Sequence, residues 1–234
     1  MAQKPKSEQD HLSETREKLI VAALPHVVFD GWSDAVLNQA ITDSAVDADL
    51  AKLAFPRGAL DLALGFHFRG DAAMTRAFAA LDLDKMRYSE KVAKAISLRL
   101  ELAAQDKDAV RRGMTFFALP IHAAEGARAV WHTSDAIWNA LGDTSTDVNW
   151  YTKRMTLSAV YSSCVLFWLG DESAGHDDTE AFIARRIENV MQFEKAKAGF
   201  RKSSLGKAFA NGPGRFFANI KAPHTPDDLP GSLK

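Results

Sequence analysis

Apolar residues return every three or four positions along almost the whole chain, and no alternating apolar–polar run long enough for a strand interrupts them. This spacing predicts stacked amphipathic helices and leaves little room for a sheet. The clearest instance is Leu157, Val160, Tyr161, Cys164 and Trp168, a core stripe on a helix expected over about 146–169. Further helices are expected from Ser13 as N-cap to a kink at Pro25, from Ser33 to about Ile41, and briefly before "FPRG". Others should start near Pro56 and run over roughly 71–80, 87–104, 106–118, 120–132, 134–141 and 179–197. The fold class is therefore all-α. With 234 residues, 47% of them hydrophobic, the chain can bury a sizeable core.

Polar boundaries divide the chain. Residues 1–12 read as a disordered leader, 13–70 as an N-terminal helical unit, 71–199 as a helical body and 200–234 as a tail. The leader is too polar and acidic for a targeting peptide, and no apolar run approaches the ~20 residues of a spanning helix. A cytoplasmic protein is expected, lying on the inner membrane if it meets a membrane at all. The lone Cys164 reads as a core thiol. Charge is unevenly placed: residues 195–226 hold seven Lys and Arg and no acid, leaving 22 basic against 30 acidic residues elsewhere. Within the tail, Lys202, Leu205, Lys207, Phe209, Arg215, Phe216, Phe217 and Ile220 interleave basic and apolar side chains. This is the composition of an anionic-membrane contact, each Lys or Arg adding about 1 kcal/mol near the surface. Gly212-Pro213-Gly214 should break it into two pieces. A basic tail docked on the chain's own acidic body is the alternative.

Catalytic fingerprints are missing. A di-iron bundle needs paired Glu-x-x-His motifs, and only Glu8–His11 matches. His122 and Glu125 share a helix face but make no strong metal site. "GFRKSSLGK" fails as a phosphate loop because Gly199 and Gly206 are too far apart and no Ser or Thr follows Lys207. No metal, no cofactor and no enzyme activity are expected.

The first helices, with their tight turn and the "FP" before the fourth, resemble the DNA-binding end of the tetracycline-repressor (TetR) family. That family binds DNA as a dimer. Here residues 31–57 carry Asp34, Asp43, Asp47 and Asp49 against Lys52 and Arg57. An acidic surface opposes phosphate neutralisation, and "AVDADLAKLAF" offers few groups to read bases, so no nucleic-acid partner is expected. A TetR-type lipid-sensing regulator remains the alternative function.

The segment 142–154, "GDTSTDVNWYTKR", breaks the apolar pattern. Capping would use one or two of its polar residues, not the whole run. By periodicity Trp150 falls on the core stripe, whereas Tyr151, Arg154 and Met155 form an exposed patch of the composition found at protein contacts. This segment, with "VYSS", "DTEAFIARRIENV", "ALPHVVFDGWSDAVLNQA" and "LAFPRGALDLAL", resembles the ubiquinone-biosynthesis accessory family of coenzyme Q proteins, Coq-nine. The resemblance implies a TetR-like fold that no longer serves DNA, a homodimer, and an isoprenoid or quinone lipid, or a phospholipid, in a hydrophobic cavity. It implies demethoxyubiquinone hydroxylase as partner, met through a surface with Ile137, Trp150, Tyr151 and Arg154, beside Met155 of the exposed patch. For Trp150 the implied surface role overrides the periodicity.

Overall fold

The computed structural model describes residues 7–202 and 221–223, with side chains described through residue 196 and again at 221–223. Among these residues nine α-helices follow one another: α1 Glu8–Asp30, α2 Asp34–Ser44, α3 Ala48–Ala54, α4 Ala59–Ala79, α5 Tyr88–Glu101, α6 Lys107–Ala118, α7 Ala123–Ala140, α8 Val148–Gly170 and α9 Asp177–Lys202. Among the described residues the one β-type pairing is an isolated bridge between Asp147 and Lys221.

Local chemistry explains the starts. Ser33 caps α2 as expected, accepting from Val36 N. Asp47 caps α3 through Asp49 N and Leu50 N. Helix α1 begins earlier than Ser13 because Ser7 and Asp10 form a capping box, so the expected disordered leader is helical from Glu8 onward. Nor does Pro25 end that helix: Leu19, Ile20, Ala23 and Val27 lie on both sides of it and pack into one core. Helix α4 starts at Ala59 instead of Pro56. Its cap is Gly58 at φ 59°, and a Cβ there would stand 2.3 Å from Asp34 Oδ1. That carboxylate takes the place of a local cap by accepting from Ala59 N at 2.7 Å.

Two breaks expected in the body do not occur. Helix α4 continues through residue 70, so the boundary drawn there falls inside one helix. Helix α7 continues through "HTSD", because Thr133 and Ser134 turn their hydroxyls back to the carbonyls of Ala129 and Val130 at 3.3 and 3.2 Å.

The apolar faces meet in two cores. The first joins α1, α2, α3 and the front of α4 through Leu19, Val36, Ala54 and Leu62. The second joins the back of α4 to α5, α7, α8 and α9 through Phe78, Ile96, Ile137, Trp168 and Ile183. The expected stripe on α8 is buried in full, with Cys164 free at its centre and its thiol pushed up to about 11 by burial. Helix α6 ties the cores together: Trp32 Nε1 donates to Ala109 O at 3.1 Å and Arg112 donates to Val28 O on the first side, while Val110 and Met114 pack against the second core.

Candidate functional site

Where the two cores meet, they do not close. A cavity of about 450 Å³ lies along the seam, bounded by Trp32, Ala63 and Phe66 on one side and by Leu100, Tyr161, Val165 and Trp168 on the other. Its size falls within the range of small-molecule sites. The hollow exists because α6 and α7 present small residues to it: Ala109, Gly113, Gly126, Ala127 and Ala129. Sequence reasoning named none of these. Runs such as "HAAEGARAV" carry the signal, since Ala and Gly on an apolar face leave space that larger side chains would fill.

One stretch of wall is polar. His67 of α4 and Arg99 of α5 face the cavity, and Asp71 stands behind them with 1% of its surface exposed. Asp71 accepts from Arg99 Nε at 2.8 Å, from Thr133 Oγ1 at 3.0 and 3.1 Å, and from His132 Nδ1 at 2.8 Å. Burial opposes ionisation of this carboxyl, yet His132, His67 and Arg99 together hold it below the usual carboxylate range. For His67 burial dominates, against the pull of Asp71, and lowers the imidazole to about 4. Arg99 also donates to His67 O at 3.0 Å. Its guanidinium lies on Gly70, where a Cβ would approach within 2.5 Å, which explains a glycine in mid-helix.

His132 is half exposed and its bond to Asp71 raises its pKa above 6.5, more than desolvation lowers it. A raised folded-state pKa stabilises the protein below 6.5 and the benefit fades as pH climbs through the raised value. The contribution of His132, read as the difference in melting temperature between wild type and His132→Gln, should therefore fade between about pH 6 and about pH 8, whereas His67, lowered to about 4, acts in the opposite sense at the lower end in both proteins. Thermal melts of wild type and His132→Gln should converge at the upper pH. Equal spacing at both would rule this out.

The segment 142–154 divides its work among three tasks. Asp147 caps α8 by accepting from Asn149 N at 3.0 Å. Asp143 is a buried anchor: Lys153 Nζ reaches it at 2.7 Å, Ser145 Oγ at 2.8 Å and Arg154 Nη1 at 3.2 Å. Burial resists the charge of Asp143, but bonds from Lys153, Ser145 and Arg154 hold its pKa down. Thr146 O accepts from Ala222 N at 2.9 Å, so the chain returns to this loop beyond α9.

Arg154 corrects the expected patch. It is 1% exposed, with Nε on Asp135 at 2.6 Å and Nη2 on Asn139 at 3.3 Å. Ile137 is 0% exposed. Neither presents a side chain to a partner; both sit beneath the surface and fix it. Trp150 is half-buried, its ring 4.0 Å from the Arg154 guanidinium carbon. Tyr151 is half-buried against Trp150 at 4.8 Å, and Met155 is exposed. Trp131 of α7 completes the cluster at 5.8 Å from Trp150 and 6.4 Å from Tyr151, and sequence reasoning missed it. The spacing Trp131, Asp135, Asn139 on one face of α7 is the signal that points to it.

His122 and Glu125 do not converge. His122 stacks on Phe116 at 4.2 Å, and Glu125 pairs with Arg57 and Arg128. No group of three or more potential ligands for a metal occurs among the described residues. Of the tail residues, Lys202 ends α9, whereas Leu205, Lys207, Phe209, Arg215, Phe216, Phe217 and Ile220 lie outside the described residues. No helix among the described residues is long and apolar enough to cross a membrane.

An all-helical chain of this architecture has the TetR-like fold. It is similar to the TetR transcriptional regulator from Nitrosomonas europaea with TM-score 0.61 and 22% identity, over 75% of this chain and 97% of that one. Residues 123–194, which hold α7, α8 and most of α9, match the COQ9 family model, and the match includes segment 142–154. It is 28% identical over 192 residues to the mitochondrial ubiquinone biosynthesis protein COQ9 of Drosophila melanogaster, covering 80% of this chain and 59% of that protein. To the human COQ9 it is 25% identical over 214 residues, covering 88% of this chain and 66% of that one. The chain thus spans less than two thirds of the length of either relative.

Proposed function

We propose that this chain serves ubiquinone biosynthesis as an accessory protein that shelters an isoprenoid or quinone lipid and presents it to a membrane-associated hydroxylase. The cavity of about 450 Å³ between the two cores carries this reading. A polyprenyl chain is driven out of water, so a protein that handles one outside the bilayer needs an apolar hollow. A seam left open by Ala and Gly on two helices supplies it. The names of the COQ9 relatives supply the pathway.

In this reading Trp131, Trp150, Tyr151 and Met155 meet the demethoxyubiquinone hydroxylase, held in place from below by Arg154. Half-buried aromatics around an exposed Met suit a contact that packs without unfolding anything. Tyr151→Ala should weaken co-purification with the hydroxylase, while the melting temperature stays within a few degrees of wild type. A collapse of melting instead would make Tyr151 a core residue and remove the patch.

The basic tail from Lys202 to Ile220 rests on the anionic face of the membrane, and a second copy of the chain forms a homodimer. Exposed Leu166 on α8 and Phe193 on α9 give such a pairing an apolar surface. The test of the whole reading is direct binding of a prenylated quinone to the purified chain. A TetR-type regulator is the second reading, supported by the fold. Against it, the exposed large apolar side chains of α3 are Leu50 and Leu53, beside Asp49 and Lys52. Gel-shift of upstream DNA at physiological salt decides between them.

A further inference from the structure

We propose that the groove between α1 and α4 binds a soluble phosphate ester bearing a flat ring, of the nucleotide class, with Arg16, Arg69 and Arg76 on the phosphates and Phe68 against the ring. The groove shares no lining residue with the cavity between the two cores, so the site stands apart from the carrier reading.

Helical spacing builds the groove. Arg69, Ala72 and Arg76 recur at i, i+3 and i+7 along one face of α4, and Ser13, Arg16 and Ile20 do the same on α1. Both faces line a groove of about 700 Å³, with Pro56 of the α3–α4 turn as a further wall. Ser13 and Ala72 are small, which leaves the space open, and the buried Ile20, Phe55 and Leu64 give it an apolar floor. Past Phe68 and Arg76 the groove runs into a second hollow that reaches His132. Phe68 is exposed and lines both, its ring 4.5 Å from the His132 imidazole.

Cations collect here although the chain outside residues 195–226 is acidic overall. The acids of the groove are already engaged: Asp61 pairs with Arg57 at 2.7 Å, and Glu17 with Arg69 Nε at 3.1 Å. Arg69 Nη1 is nevertheless buried without an acceptor, which costs free energy that an incoming oxygen would recover. Arg16 gives its Nε to Ala54 O at 3.1 Å, and neither Arg16 nor Arg76 pairs with a carboxylate among the described residues. Three guanidinium groups ask for more oxygens than one carboxylate presents. A diphosphate has enough, in the geometry that arginine grips two at a time. Phe68 adds an apolar surface on which a flat ring packs. A lipid phosphate shares the head and lacks the ring, which tells the two sources apart.

Calorimetric titration of the full chain at physiological salt with ADP, pyrophosphate, adenosine and dihexanoyl phosphatidic acid tests this. ADP should bind tightest, with pyrophosphate weaker by roughly tenfold and adenosine by roughly a hundredfold. Arg76→Gln should weaken ADP roughly tenfold. Arg87→Gln, at an exposed arginine paired with Glu90 outside the groove, should leave it unchanged. Phe68→Leu should weaken ADP several-fold and leave pyrophosphate as it was. Arg76 and Phe68 are both exposed, so neither substitution opens a core. No binding of ADP, equal binding of adenosine, a preference for phosphatidic acid, or an Arg76→Gln chain that binds as wild type would overturn the site. Displacement of ADP by duplex DNA at the same salt would assign the arginines to a nucleic-acid backbone and overturn it as well. Each of these outcomes leaves the carrier reading where it stands, since binding of a prenylated quinone tests that separately.

Discussion

Arg154→Ala should destabilise the fold by about 3–5 kcal/mol, the usual consequence of removing one partner from a buried ion pair. The substitution strands Asp143, whose side chain is 3% exposed, with Lys153 as its remaining cation. It also frees Asp135 and Asn139 on α7 and removes the surface against which Trp150 packs. The link between α7 and α8 is then reduced to apolar contacts and the Ser134–Ser158 bond at 3.0 Å. Urea unfolding of the variant measures the loss. Arg154→Lys should recover only part of it, because a single ammonium cannot serve Asp135, Asp143 and Asn139 together. A variant as stable as wild type would show that the observed ion pairs contribute nothing net.

Gly113→Phe should abolish most lipid binding without harming the fold. At Gly113 an added Cβ would meet only Trp32 Nε1, at 3.5 Å, so a larger side chain can enter the cavity from α6. Removing a glycine from mid-helix adds about 0.5 kcal/mol of helix propensity, and the new ring buries apolar surface. Stability should hold or rise while quinone affinity falls at least tenfold, a loss of about 1.4 kcal/mol. The pairing of those two results is diagnostic. A fall in both would mean that the ring cannot be accommodated, and unchanged affinity would place the lipid elsewhere.

Much of this architecture is legible from periodicity alone. The stripe from Leu157 to Trp168 and the cap at Ser33 are local facts, and each holds. What periodicity misjudges is set by partners distant in sequence. Trp150 has the right phase for the core, yet it sits in the first turn of α8, where the stripe runs past the packed interior. Arg154 reads as a surface residue because its counter-charges come from α7 and from the preceding loop. Gly70 and "HTSD" look like breaks until Arg99 and Asp71 arrive from other helices to use them. The cavity is the least legible feature: an apolar face turned toward a void and one turned toward another helix have the same hydrophobic pattern. Only the run of small residues on α6 and α7 distinguishes them, and their meaning depends on how those helices cross.

Extraction of purified protein followed by mass spectrometry of the lipid it retains tests the central claim most directly. The account predicts isoprenoid or quinone species in near-stoichiometric amount from the wild-type chain and little from Gly113→Phe. A wild-type chain that carries no lipid, and takes none up from quinone-containing vesicles, would contradict it.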